Sequence, residues 1–270
     1  MPRSTNPDSS YNEEKPRKRY RGSPFSIFPL IGAAVWFSML WSMMIIWVSQ
    51  RQPRYSHMNA NQHMVYISDI GSNVMKPFFI VGCSVTAAMF SVSLFSVRRN
   101  YASVGKLEKL FDVMSILSGI AGSVGLILLS IFDLARHRTL HIIFLTLFMM
   151  GIVLSASSTV NEYCHVGRHY EDFEILRVIS FVKIVLIAIE VTLTILLAGF
   201  TLGKWYTAAT FTEWACAYTY TFYMLSYFFD LRPMAITKDH AELLRALNAK
   251  RNRTPLFGSP QMAETPTSER

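Results

Sequence analysis

The sequence predicts an all-α polytopic membrane protein, a bundle of six transmembrane helices with both termini in the cytoplasm. Of its 270 residues 51% are hydrophobic and only 16% are charged, whereas about a quarter of the residues in an ordinary soluble domain are charged. The charges largely avoid six windows, each close to the roughly 20 residues that a spanning helix needs, and such a helix satisfies its own backbone hydrogen bonds. The predicted spans are 27–48, 77–97, 113–132, 140–160, 175–198 and 211–231.

The last window carries a carboxylate near each end. Sixteen uncharged residues, many of them aromatic, separate Glu213 from Asp230. At the 1.5 Å rise of a helix the two acids lie roughly 25 Å apart, close to the thickness of the hydrocarbon core of a bilayer. This helix is therefore predicted to cross a membrane with an acid near each face.

The distribution of positive charge predicts the orientation. Residues 1–24 form a polar, disordered arm without the apolar core of a cleavable signal peptide, so the first span is predicted to be an uncleaved anchor. Nineteen Lys and Arg residues lie outside the spans on the side of the two termini, against six on the other side. Both termini are thus predicted to be cytoplasmic. Because the asymmetry explains the net charge of +8, no nucleic-acid partner is predicted.

Both cytoplasmic ends are candidates for contact with anionic lipid. A cation next to the inner leaflet is attracted to it by roughly 1 kcal/mol, and five cations stand just before the first span: Lys15, Arg17, Lys18, Arg19 and Arg21. The same five residues also serve as an orientation signal, which alone explains them. In the tail, 236–270, the segment 238–253 is predicted to form a short amphipathic helix that three leucines anchor weakly, followed by a disordered end.

Two loops on the outer side contain polar residues at suggestive spacings. In the first loop, VYISDIGS (65–72) is predicted to turn at Asp69 and Gly71 while Tyr66, Ile67 and Ile70 press on the membrane rim. In the loop after the third span, Asp133, His137 and His141 are four residues apart, a spacing known for metal ligands. Arginines stand between them, so salt bridging is favoured over a metal site. Neither a metal nor a cofactor is predicted.

The fifth span contains two charged residues, Lys183 and Glu190. They share a helical face about 10 Å apart along the axis, too far for a direct ion pair. Lys183 is predicted to snorkel toward the cytoplasm. Glu190 is a candidate for proton or ion coupling, the alternative being a protonated carboxyl that bonds to neighbouring helices.

Several segments resemble a known family: PRY (53–55), VYISDIGS (65–72), IFDLARHRTLH (131–141) and TEWACAYTYTFYMLSYFFDL (212–231). The resemblance covers roughly residues 25–235. The chain is similar to the family that joins the damage-regulated autophagy modulators, the suppressor-of-four-kinase protein and the post-GPI-attachment remodelling factor, and most similar to the suppressor-of-four-kinase branch. The residues that match its signature positions are Tyr66, Ser68, Asp69, Gly71, Glu213, Trp214 and Asp230.

The resemblance implies a six-span protein without established catalysis. Family members are associated with support of a phosphatidylinositol 4-kinase complex at the plasma membrane, with lipid asymmetry and sterol retention, with autophagy at lysosomal membranes, or with remodelling of GPI-anchor lipids. The leading expectation is a non-enzymatic regulator of plasma-membrane lipid composition that contacts anionic lipid and such a kinase complex. The residues leave other possibilities open: a location in endosomal, lysosomal or Golgi membranes, a sterol groove along the sixth span, a zinc-dependent lipid hydrolase using Asp133, His137, His141 and Glu213, or an ion-coupled transporter using Glu190.

Overall fold

The computed structural model describes residues 24–55, 58–59, 61–73, 75–100, 106–167 and 174–231. The regular structure of these residues is helical, as the sequence predicts. After a single 3-10 turn at Pro24–Ser26, the helices are α1 Ile27–Ser49, α2 Ile67–Gly71, α3 Lys76–Asn100, α4 Lys106–Ile131, α5 Arg138–Gly167, α6 Glu174–Leu202 and α7 Tyr206–Leu231. The basic arm and the tail helix that the sequence predicts lie outside the described residues.

Five of the helices, α1, α3, α4, α5 and α6, are long and apolar enough to cross a membrane. The predicted sixth span corresponds to α7, which is 26 residues long. Its tyrosines, threonines and two acids make it less hydropathic than the other five. The structure therefore supports a multi-pass membrane protein, and the sixth crossing stays a prediction.

Helix α7 occupies the interior of the bundle. It packs against α1, α3 and α6, and more than half of its residues are buried. Helix α6 instead exposes many aliphatic and aromatic side chains, such as Phe181, Val182 and Ile195. This division fits a bilayer, because lipid tails solvate apolar side chains well whereas hydroxylated and small residues pack helices together.

The helices extend further than the apolar windows predict. Helix α5 continues to Gly167, so the first half of the predicted loop 161–174 is helical. Only three residues separate the end of α6 from the start of α7. The reason is that backbone hydrogen bonding continues into polar residues once a helix has formed.

Helices α4 and α5 pack with their backbones in direct contact. A Cβ added to Gly151 would lie 2.6 Å from the Cα of Gly122. Small residues at such a crossing are a common device of membrane helices, because they let the backbones approach closely. This contact fixes α5, which contributes one wall of the cavity described below.

Candidate functional site

The signature peptide of the first loop forms a buried helix, α2, instead of a turn at the membrane rim. Ile67, Asp69 and Ile70 are all buried, and α2 packs against α1, α3 and α7. The prediction that Ile67 and Ile70 press on the lipid surface is therefore wrong. Burial becomes possible because the polar backbone of this segment finds partners inside the protein.

Two adjacent residues of α7 supply those partners. The carboxylate of Glu213 accepts a hydrogen bond from the N–H of Ile67 at 2.8 Å, and the indole Nε1 of Trp214 donates to the carbonyl of Val65 at 2.9 Å. The first N–H groups of a helix have no partner within the helix. Glu213 thus holds the start of α2 against α7.

Asp69 stabilises the same segment from within. Its carboxylate accepts from the N–H of Tyr66 at 3.3 Å and from the side-chain amide of Gln62 at 3.4 Å, which closes a capping box around the start of α2. Burial, followed by the nearby charge of Glu213, raises the pKa of Tyr66 to about 12.

Gly71 lets α2 approach α3. A Cβ at this position would lie 2.6 Å from the ring of Phe79, closer than packed atoms come. The structure therefore brings six of the seven signature residues into one place, which we call the α2 end of the bundle: Tyr66, Ser68, Asp69, Gly71, Glu213 and Trp214.

The seventh signature residue, Asp230, lies at the opposite end of α7 and forms an ion pair with Lys183 of α6. Lys183 Nζ is 2.6 Å from Asp230 Oδ2, and both side chains are almost fully buried, with 0% and 2% exposed. The ammonium also lies over the ring of Tyr227, 3.7 Å from its centroid, at a distance typical of cation–π contacts. We call this region the Lys183 end.

The prediction that Lys183 snorkels outward is therefore wrong. A long side chain leaves the membrane interior when the interior offers no counter-charge. Here α7 supplies a carboxylate and two aromatic rings at the level of Lys183. No signal within the fifth span could have revealed this, because the partner stands on another helix.

A second buried charge cluster joins α3, α4 and α5. The sequence alone predicted no contact between these helices and indicated only that Arg98 contributes to the positive charge outside the spans. Arg98 donates from Nη1 to Asp112 at 2.7 Å, and from Nη2 to Ser115 at 3.0 Å and to Thr159 at 2.6 Å. Its side chain is 3% exposed. The position of Arg98 just after an apolar window made it look like an orientation signal alone.

The residues of the proposed zinc alternative are engaged separately. Asp133 pairs with Lys76 at 2.5 Å and accepts from the N–H of Arg136 at 2.8 Å. The Nδ1 of His141 lies 3.1 and 2.9 Å from the carbonyls of Leu129 and Phe132. Among the described residues, no three His, Cys, Asp or Glu side chains come together in a way that could hold a metal ion.

Two adjoining cavities lie beside these residues. The polar chamber has a volume of about 150 Å³, is partly open to the surface, lies at the α2 end and includes Gln62, Asp69 and Arg138 in its wall. The apolar chamber has a volume of about 50 Å³ and is lined mostly by aliphatic and aromatic side chains, among them Leu126 and Phe148. Five residues line both chambers: Ser68, His141, Leu145, Leu197 and Glu213.

Glu190 lies at the far end of the apolar chamber. It also lines a narrow crevice between α5 and α6, about 10 Å³ in volume, with Ile152, Leu186 and Tyr223. Its side chain is buried, 9% exposed, and Glu190 Oε2 forms no hydrogen bond with any described residue. The structure thus separates the two charged residues of the fifth span: Lys183 has a counter-charge, and Glu190 lines a cavity.

These features define a class: a helical multi-pass membrane protein whose buried polar residues join its helices around an internal cavity. The particular family follows from comparison with known sequences. The family model described as Frag1/DRAM/Sfk1/Cwh43P N-terminal domain matches residues 24–234, and the chain belongs to this family. The predicted resemblance is confirmed.

Two relatives support the predicted branch as well. The chain is 29% identical over 189 residues to Protein sfk1 of Schizosaccharomyces pombe, an alignment that covers 68% of this chain and 56% of the relative. It is 29% identical over 182 residues to Protein SFK1 of Saccharomyces cerevisiae, covering 55% of this chain and 52% of the relative. The alignments span about half the length of these curated relatives. No solved structure matches the chain.

Proposed function

We propose that this protein is a non-enzymatic, six-span regulator of plasma-membrane lipid composition that supports a phosphatidylinositol 4-kinase complex. Membership of the family and similarity to two Sfk1 proteins are the starting point. Contact with anionic lipid and with the kinase complex is assigned to the cytoplasmic ends, in line with the branch that the resemblance favours.

The observation that carries the proposal is the asymmetry of positive charge. The arm before the first span contains Lys15, Arg17, Lys18, Arg19 and Arg21, and the segment after α7 contributes seven further Lys and Arg residues. Two basic segments that flank one membrane domain on the same side provide a surface for anionic inner-leaflet lipids. A regulator of a lipid kinase at that surface needs such a contact and no catalytic group of its own.

The use of the buried acids supports a non-enzymatic role. Asp230, Asp112 and Asp133 pair with cations on other elements, and Glu213 and Asp69 bind backbone N–H groups of α2 and its cap. Each of these carboxylates joins segments of the fold.

The six-span topology makes a separate prediction. Substitution Asn61→Thr puts a threonine two residues after Asn59 and so creates a glycosylation acceptor in the first loop, which the topology places outside the cytoplasm. We expect a glycan on this variant, detected as an endoglycosidase-sensitive shift on a gel, and none on the natural acceptor Asn252-Arg253-Thr254. A glycan on Asn252 would overturn the orientation.

The function is tested with a fluorescent reporter of phosphatidylinositol 4-phosphate, imaged at the plasma membrane of cells with and without the protein. We expect the surface signal to fall in its absence and to return with the intact chain. A chain in which the five arm cations are replaced by Gln and residues 238–270 are removed should not restore it. A matched control keeps the arm's composition but scrambles its order, and it should restore the signal because the attraction depends on charge.

An unchanged reporter signal would overturn the lipid-kinase role. The family alternatives would then be GPI-anchor lipid remodelling and autophagy. The same cell lines separate them, since remodelling changes the detergent partitioning of GPI-anchored proteins and autophagy changes the turnover of autophagosome markers.

A further inference from the structure

Glu190 of α6 is a buried carboxyl without a counter-charge in the part of the chain that the structure describes. Lys183, earlier on the same helix, is paired with Asp230 at 2.6 Å, and the described residues that line the cavities beside Glu190 include no Lys or Arg. The buried Oε2 of Glu190 forms no hydrogen bond with a described residue. An ionised carboxylate is strongly disfavoured in such surroundings, so we expect the Glu190 carboxyl to carry a proton.

The helices packed against α6 are α5 and α7, and both contribute titratable groups to the cavities beside Glu190. These groups are His141 of α5 and Glu213, Cys216, Tyr220 and Tyr223 of α7. Only His141 among them can become a cation, and it lies with Glu213 at the boundary between the two chambers, away from Glu190. Protonation is therefore the way in which the Glu190 carboxyl is neutralised.

The two chambers provide water-sized space from the surface at the α2 end to Glu190. The polar chamber has a volume of about 150 Å³ and is partly open, and the apolar chamber has a volume of about 50 Å³. Since a cavity needs roughly 10–15 Å³ to hold one water molecule, the apolar chamber has room for about three. A buried water also needs polar partners. Glu190 and Tyr220 supply them at one end of the apolar chamber, and Ser68 and Glu213 supply them at its boundary with the polar chamber.

The path ends at Glu190. The crevice beyond it, which Glu190 shares with Tyr220 and Tyr223, has a volume of about 10 Å³, at the lower limit for a single water molecule. The hydroxyl of Tyr223 is also bonded to that of Tyr227 at 2.8 Å. A proton that reaches Glu190 from the α2 end therefore leaves by the same route.

We infer that Glu190 is a proton-binding site that exchanges with water from the surface at the α2 end, through the polar chamber and then the apolar chamber. In this exchange the O–H bond of the Glu190 carboxyl breaks, the electron pair stays on the carboxylate, and the proton passes to a water molecule in the apolar chamber. The reverse step restores the neutral carboxyl. The site responds to the pH on that side of the bundle and does not conduct protons across it. The inference is independent of the lipid-kinase role, which is assigned to the cytoplasmic ends.

The test measures the infrared absorption of the purified full-length chain after transfer from H₂O to D₂O. A protonated carboxyl has a C=O band separate from the bands of a carboxylate, and this band moves when O–H becomes O–D. At neutral pH we expect such a band that is lost in Glu190→Gln. It should move at least about tenfold faster than the most protected backbone amides exchange, since those amides open only when the whole fold opens. The absence of a band that depends on Glu190 would overturn the proton site, and a band that moves only as fast as those amides would overturn the water path.

Two matched variants of α6 test the direction of the path. Leu197 lines both chambers, whereas Leu186 lines only the crevice beyond Glu190. Because a larger side chain narrows the space that it lines, Leu197→Phe should slow the exchange of the Glu190 band severalfold. Leu186→Phe should leave the exchange unchanged. Equal slowing in both variants, or no slowing in Leu197→Phe, would overturn the route through the α2 end.

The cysteines provide a measurement that leaves Glu190 and the path unaltered. The chain has three cysteines, so Cys164→Ser leaves two thiols, both of them buried. Cys216 lines the apolar chamber, whereas Cys83 lines neither chamber. In D₂O the S–H band of Cys216, assigned by its loss in Cys216→Ala, should therefore convert to S–D faster than that of Cys83. Equally slow conversion of the two thiols would show that water does not enter the apolar chamber and would overturn the inference.

Discussion

The two ends of the bundle neutralise their buried carboxylates in different ways. At the α2 end, Glu213 and Asp69 accept hydrogen bonds from backbone N–H groups, those of Ile67 and Tyr66. At the Lys183 end, Asp230 is paired with a side-chain cation on another helix. One end uses carboxylates to hold a short buried segment, and the other uses one to join two long helices.

The difference depends on whether unpaired backbone N–H groups are available at each end. Helix α2 has only five residues, so most of its N–H groups lack partners within the helix and are available to a carboxylate. Along the middle of α6 the N–H groups are already bonded to carbonyls four residues earlier. A buried acid facing α6 can therefore be neutralised only by a side chain, and Lys183 serves that role.

The largest effect is expected from breaking the ion pair. Asp230→Asn leaves the Lys183 ammonium buried without a counter-charge, and removing one partner of a buried pair costs about 3–5 kcal/mol. We expect a large fall in the thermal unfolding midpoint of the purified protein in detergent. If the midpoint moved no more than in an exposed control such as Ile195→Ala, the ion pair would not join α6 to α7 in solution.

A double variant separates the cost of an orphaned charge from the value of the pair. Lys183→Met together with Asp230→Leu replaces both charges by apolar side chains of similar size, a change that is often neutral or stabilising. We expect the double variant to unfold at a higher temperature than Asp230→Asn. A double variant as unstable as the single one would show that packing, and not the unpaired charge, sets the effect.

A smaller effect is expected at the α2 end. Glu213→Ala removes the acceptor for the N–H of Ile67, and leaving a buried donor without a partner costs about 1–3 kcal/mol. Because an amide oxygen can still accept, Glu213→Gln should lose less. Hydrogen exchange of the backbone amides of residues 65–71 distinguishes the two ends. The exchange should accelerate in Glu213→Ala. It should stay unchanged in the Lys183→Met/Asp230→Leu double variant. The opposite pattern would contradict the division between the ends.

Much of this architecture could be predicted from the sequence. The apolar windows indicate five of the long helices directly, because the length and composition of a spanning helix are fixed by the bilayer. The resemblance placed signature residues both in 65–72 and at the start of α7, but it did not predict that the two segments are in contact. Glu213 and Trp214 turn out to be the groups that hold Ile67 and Val65.

What could not be predicted are the contacts between helices far apart in the chain. Nothing near Lys183 in sequence shows that Asp230 lies 2.6 Å away, and nothing near Arg98 shows that Thr159 accepts its hydrogen bond at 2.6 Å. For the same reason the buried state of α2 was missed, since a segment of polar and apolar residues between two spans fits an exposed turn equally well. Pairing across helices depends on the packing of the whole bundle.

The smallest effect is expected at Asp133, which combines the two modes of neutralisation. Burial acts to raise the pKa of Asp133, but the hydrogen bonds from the Lys76 ammonium and the Arg136 N–H outweigh it, so the pKa lies below its usual 3.8. A lowered pKa means that the folded state favours the carboxylate. Its contribution to the free energy of unfolding is therefore fully present above about pH 4 and is lost as the pH falls through the folded pKa.

We expect Asp133→Asn to lower the free energy of unfolding at neutral pH by about 1 kcal/mol or less, because the Lys76 side chain is 26% exposed and water screens the pair. The variant should also flatten the fall in the thermal midpoint between about pH 5 and pH 3. Lys76→Met is the matched control and should flatten it in the same way. Asp133 and Asp230 both pair with a lysine, so the two variants can be compared directly. A much smaller loss of unfolding free energy in Asp133→Asn than in Asp230→Asn would identify burial of the cation as the source of the difference. Equal losses would show that the ion pair itself, and not burial of the cation, sets the loss.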